Sequence, residues 1–173
     1  ASDQLHLEFQ RRTAEVRNFI EQYLGRESIP GPPQGNAADL VLTEALPEEV
    51  RNTIISQGGF SDVEKAYRNI RKLAGTGEQR EQFATTVLLA WDILRKLPDP
   101  GMALNNWEAF VTSIDDPAKH FRRLSKQPKR LEILLGIFSG SQFLSDILRR
   151  NPAFIDYVTN PNTVKSVKSK KEY

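Results

Sequence analysis

The sequence predicts an all-α protein: a multi-helix bundle of short and medium helices with one long N-terminal helix. Three observations lead there. Apolar residues recur at intervals of three and four in nearly every segment, the signature of a buried helix stripe. These segments are separated by breakers drawn from ten Gly and ten Pro. No useful stretch alternates apolar and polar residues as a half-buried strand does. A chain of 173 residues buries roughly 70% of its unfolded surface, so a core needs no covalent staple. With no Cys, disulfide and thiolate-metal chemistry are excluded, and a cytoplasmic setting is expected.

The first element, residues 1–27, reads as a long amphipathic helix. Leu5, Phe9, Val16, Phe19, Ile20, Tyr23 and Leu24 form its apolar stripe, and Gly25 stands where a C-terminal left-handed residue belongs. Residues 28–46 read as a Pro/Gly linker, because Pro30, Gly31, Pro32, Pro33 and Gly35 leave no room for a helix or central strand. A helical body over residues 47–160 follows. Pro47 with Glu48 and Glu49 opens its first helix, where a missing N–H costs nothing and acids meet the positive dipole end. Ser61 and Glu64 form a capping box for the next helix, which carries Val63, Ala66, Tyr67, Ile70 and Leu73. Gly75 and Gly77 close it. A longer helix from about Glu78 to Lys96 presents Phe83, Val87, Leu88, Trp91, Ile93 and Leu94, ending at Pro98-Asp99-Pro100-Gly101.

Leu104, Trp107, Phe110, Val111 and Ile114 make a fifth helix, and Asp116-Pro117 starts a short one through Phe121 and Leu124. After the break at Gln127-Pro128, the run from Leu131 to Phe138 is nearly continuous in apolar residues and is expected to be the most buried. Phe143, Leu144, Ile147 and Leu148 resume it beyond Ser139-Gly140-Ser141, and Asn151-Pro152 caps a last short helix. The expected core comprises Trp91, Trp107, Phe110, Leu134, Phe138, Phe143 and Leu144. Residues 161–173 read as a flexible Lys-rich tail, with Lys165, Lys168, Lys170 and Lys171 and little to bury.

The search for chemistry gives mostly capping and packing. The net charge of +2 argues against a nucleic-acid binder held by bulk charge. No apolar run approaches the roughly 18 residues of a membrane span. Gly136 to Ser141 has glycines at a suggestive spacing but lacks the Lys and Ser/Thr of a phosphate loop, so it reads as a tight turn between helices. Asp115-Asp116 precedes Pro117 and reads as an N-cap. Asp146 stands alone on a helix, and His6 and His120 lie far apart without nucleophile partners. No catalytic, cofactor-binding or metal-ligating residue is assigned. The one candidate interaction face is basic: Arg122, Arg123, Lys126 and Arg130, suited to an acidic surface.

Three stretches carry a family likeness: Gly59-Phe60-Ser61-Asp62 leading into the helix to Leu73; Leu104 through Trp107 to Phe110; and Gln127-Pro128 through Leu131, Leu134, Phe138, Ser141, Phe143-Leu144 and Leu148 to Asn151-Pro152. In order and spacing, roughly Pro47 to Asn160 resembles the helical region of glutamine synthetase adenylyltransferases, two-headed enzymes that attach AMP to glutamine synthetase and remove it. The resemblance implies a helical linking or regulatory module. Its partners would be flanking nucleotidyltransferase domains, and glutamine synthetase or a nitrogen-signalling regulator protein. ATP and Mg would be cofactors of the parent enzyme, with none held by this segment. The Gly-Ser followed by Asp-x-Asp that marks each active site of that family is absent from the sequence. No catalytic residue carries over, and the chain alone is expected to be inactive. The alternative is an independent all-α adaptor whose groove binds a partner helix.

Overall fold

A computed structural model describes residues 35–163; the long helix expected over 1–27 lies outside the described residues, as does the tail expected over 161–173 from 164 onward, while residues 161–163 are helical. The chain divides into two units between Gln34 and Gly35, and the described residues belong to the second. Every regular element among them is helical, as expected. In chain order these are α1 (Ala37–Leu42), α2 (Glu48–Gln57), α3 (Val63–Ala74), α4 (Gly77–Leu94), α5 (Pro100–Thr112), α6 (Pro117–Lys126), α7 (Pro128–Gly140) and α8 (Gln142–Arg150). A 3-10 turn at Pro152–Phe154 then leads into the short α9 (Ile155–Val158).

Helix α1 corrects the expectation of a linker reaching residue 46. Asn36 caps it: its Oδ1 accepts from the backbone N–H of Ala38 at 2.9 Å, and Asp39 Oδ2 accepts from the Asn36 N–H at 2.7 Å. This reciprocal box offsets the cost of starting so short a helix. Ala37, Ala38, Leu40 and Val41 are buried, and at the far end Arg71 of α3 donates to the Val41 carbonyl at 3.2 Å. A second correction is smaller. Asp62, not Ser61, caps α3, accepting from the Lys65 N–H at 3.0 Å.

Three of the later helices begin with Pro at their first turn. Asp99 and Asp116 cap α5 and α6, accepting from the N–H groups of Met102 at 2.9 Å and Lys119 at 3.0 Å. Ser141 caps α8 through the Leu144 N–H at 3.2 Å. Each Pro fixes where a helix starts, and each cap satisfies a donor that the helix leaves free.

Helices α4 and α5 form the centre: α4 packs on α1 and α6, and α5 on α3 and α7. Phe83 of α4, Trp107 of α5 and Phe121 of α6 meet as a buried aromatic triplet, with ring centroids 4.9 to 5.8 Å apart. Phe110 joins it to Phe138 of α7 at 5.9 Å. Buried Thr86 Oγ1 lies 3.0 Å from the Phe121 carbonyl, tying α4 to α6 by a polar contact as well. Gly58, after α2, is required to be small: a Cβ there would meet the rings of Phe60 and Trp91 at 2.7 Å.

Trp107, Phe110, Leu134 and Phe138 are buried as expected. Trp91 is only partly buried, packed against the core with its ring tilted 44° to that of Phe60 at 5.4 Å. Phe143 and Leu144 correct the expectation outright, at 74% and 45% exposure. The cause is a bend of 118° between α7 and α8, after which only Ser145 and Leu148 of α8 face inward. These burials set two expected stabilities. Leu134→Ala removes a fully buried side chain and should cost about 2–5 kcal/mol in urea unfolding through transfer and cavity terms. Phe143→Ser should stay within about 0.5 kcal/mol. A reversed ranking would mean that the α7 to α8 bend is misplaced.

Candidate functional site

Of the four basic residues singled out from sequence, the structure brings two together: Arg123 and Arg130 meet at Asp156, while Arg122 turns to a different partner. Because Asp116-Pro117 sets where α6 starts, Phe121 and Leu124 point into the core, and Arg122, Arg123 and Lys126 project from other sides of the helix. Arg122 pairs with Glu78 at the start of α4. Arg123 pairs with Asp156 of α9. Arg130, in the first turn of α7, donates to the Asp156 carbonyl at 3.1 Å and to Thr159 Oγ1 at 3.2 Å, and lies 3.9 Å from the Asp156 carboxylate. Three of the four residues thus meet acidic or carbonyl groups of this same chain, while Lys126 is exposed.

Arg123 and Arg130 stand at the rim of a cavity of about 180 Å³ whose floor is apolar, made by Phe110, Ile114, Leu124 and Ile155. His120 forms one wall. Its Nε2 accepts from the indole N–H of Trp107 at 3.1 Å, so the imidazole is neutral with its proton on Nδ1. Burial, reinforced by the Arg123 charge, lowers its pKa to about 4. The sequence showed no partner for His120 because Trp107 lies on a different helix.

A second cavity, of about 290 Å³, opens between α3, α5 and the start of α8. Its polar groups are taken up in bridging helices. Asn69 donates to Asn105, and Gln142 donates to Asn106 Oδ1 at 3.1 Å, while Asn106 donates to the Phe138 carbonyl at 2.9 Å. Asp146 accepts from Gln142 at 3.0 Å. Gly136 lies inside α7 and Gly140 is its last residue, so the turn between helices expected over Gly136 to Ser141 is confined to the end of that stretch, at Gly140-Ser141. Among the described residues, no three His, Asp or Glu side chains converge as metal ligands. His6 lies outside them.

The chain is 24% identical over 165 residues to the bifunctional glutamine synthetase adenylyltransferase/adenylyl-removing enzyme of Thioalkalivibrio sulfidiphilus strain HL-EbGR7. The alignment covers 90% of this chain and 16% of that relative. The likeness is distant, and it suggests that family. No protein-family model and no solved structure matches the chain. No single helix among the described residues is long and apolar enough to cross a membrane.

The depressed His120 pKa has a direct consequence for stability. Between pH 6.5 and about 4, the unfolded chain binds a proton that the folded chain refuses. The contribution is complete above pH 6.5 and is lost as pH falls, by up to about 3 kcal/mol. Urea unfolding from pH 7 to 5 should show this decline, and His120→Gln, which keeps an acceptor for Trp107, should flatten it. An equal slope in both proteins would contradict the assignment.

Proposed function

We propose that this chain is a non-catalytic helical module that links or regulates the nucleotidyltransferase heads of an enzyme that adenylylates and deadenylylates glutamine synthetase. The observation that carries this reading is the match to the Thioalkalivibrio relative, which runs through 90% of the chain yet spans only 16% of that protein. The fold supports it physically. The regular elements among the described residues are all helical and close-packed around the Phe83–Trp107–Phe121 contacts, which suits a rigid connecting module. The sequence lacks Asp-x-Asp, and two-metal nucleotidyl transfer needs carboxylates that converge on the metals. ATP, Mg and the transfer chemistry therefore belong to flanking domains, with glutamine synthetase or a nitrogen-signalling regulator as further partners.

Purified chain incubated with glutamine synthetase, ATP and Mg²⁺ should neither attach nor remove AMP, as read by intact mass. The complete reading frame encoding it should carry a Gly-Ser followed by Asp-x-Asp on both sides. AMP transfer by the chain alone would overturn the non-catalytic reading, and a frame without those motifs would overturn the module reading.

A further inference from the structure

The cavity beneath Arg123 and Arg130 is too small for a whole organic ligand, since such sites run to about 300–1,000 Å³. At about 180 Å³ it matches a single large apolar side chain, the size of pocket that holds an anchor residue in protein recognition. Its rim is cationic. Lys119, Arg123 and Arg130 outnumber Asp116 and Asp156 there, and the Asp116 carboxylate is already engaged by the Lys119 N–H. The two arginines are already bridged by a carboxylate, that of Asp156.

The segment that supplies Asp156 rests on the core through partly buried Ile155 and Val158 and is anchored by buried Thr159, but it contributes little further burial. Neither the Pro152–Phe154 turn nor α9 has a buried residue. Two large side chains beside Asp156 face solvent: Phe154 at 53% exposure and Tyr157 at 68%. Segments with so little burial open at low free-energy cost. Asp156 therefore resembles an internal stand-in that an incoming carboxylate can displace.

We propose that this cavity docks an acidic peptide segment of a partner protein, which seats one apolar side chain against Phe110, Ile114 and Leu124 and replaces Asp156 on Arg123 and Arg130 with its own carboxylate. The proposal is independent of the family reading. Charge complementarity selects the occupant: the rim offers guanidinium forks suited to paired carboxylate binding, and the floor offers only apolar contact.

The test uses the intact 173-residue chain and a synthetic peptide, acetyl-Glu-Asp-Leu-Phe-Asp-Glu-amide. The buried Trp107 indole N–H is bonded to the cavity-wall His120, so its ¹H–¹⁵N resonance reports occupancy, and Trp91 serves as the internal control. The peptide should shift the Trp107 signal and leave Trp91 in place, with an affinity that falls as salt rises. Asp156→Asn should tighten binding about three- to tenfold by freeing both arginines, and Arg130→Ala should weaken it about tenfold or more. Arg122→Ala, outside the cavity, should have little effect. No Trp107 shift with either wild-type protein or Asp156→Asn would overturn the proposal. So would equal binding of a Lys-substituted peptide, which would mark a purely apolar pocket, or an equal response to inorganic phosphate, which would mark a simple anion site. Equal weakening by Arg122→Ala would reduce the site to diffuse charge and would also overturn it. Circular dichroism of each variant separates loss of binding from loss of fold.

Discussion

A fully buried indole must hand its N–H to an acceptor or forfeit a hydrogen bond in a medium that cannot replace it. Trp107 meets that demand through His120, and much of the body is arranged around the pairing. With α6 packed on α4, His120 reaches Trp107 of α5, Phe121 lies against both Phe83 and Trp107, and Arg123 follows one turn further on. The histidine must also stay neutral, because an imidazolium cannot accept a hydrogen bond. A single polar contact thus governs core packing, the protonation state of one residue and the placement of the basic rim.

The helix boundaries follow a different and more local logic. Asp-Pro opens α5 and α6, Gln-Pro opens α7, and Asn-Pro opens the terminal 3-10 turn. Proline biases the preceding residue away from helical backbone while fitting the first helical turn itself. Gln127-Pro128 and Asn151-Pro152 therefore stop one helix and start the next with a single residue between, while Asp99-Pro100 and Asp116-Pro117 start theirs after short connections from Leu94 and Thr112. Short connections keep sequential helices close, so that α7 packs on both α6 and α8, with α7 and α8 against α5.

This division explains what could be read from the sequence. Helices α2 to α8 were legible because their starts are written in capping residues, prolines and spacing, all of them local signals. Helix α1 was not, since its six residues sit beside a Pro/Gly run and depend on burial against α3 and α4. Apolarity at Phe143 and Leu144 suggested burial, yet the direction in which α8 leaves α7 is decided by tertiary packing. The basic residues were found as a cluster, but their engagement was invisible. Asp156 lies 26 residues from Arg130, and nothing local announces that a carboxylate returns to meet it. The cavity is hidden for the same reason, as its walls come from four separate segments.

The bend at Ser141 also divides a largely apolar stretch of the chain. Helices α7 and α8 are together long enough to cross a bilayer, but they meet at a bend of 118°, carry charged residues at both ends, and bury the apolar face of α7 in the core. Straightened, Pro128–Arg150 would extend about 34 Å at 1.5 Å per residue, enough for a hydrocarbon layer of about 30 Å. The Ser141 hydroxyl gives the backbone a place to break, accepting from the Leu144 N–H and ending α7 at Gly140. One small polar residue therefore divides the stretch into two short helices, neither of which is long and apolar enough to cross a membrane.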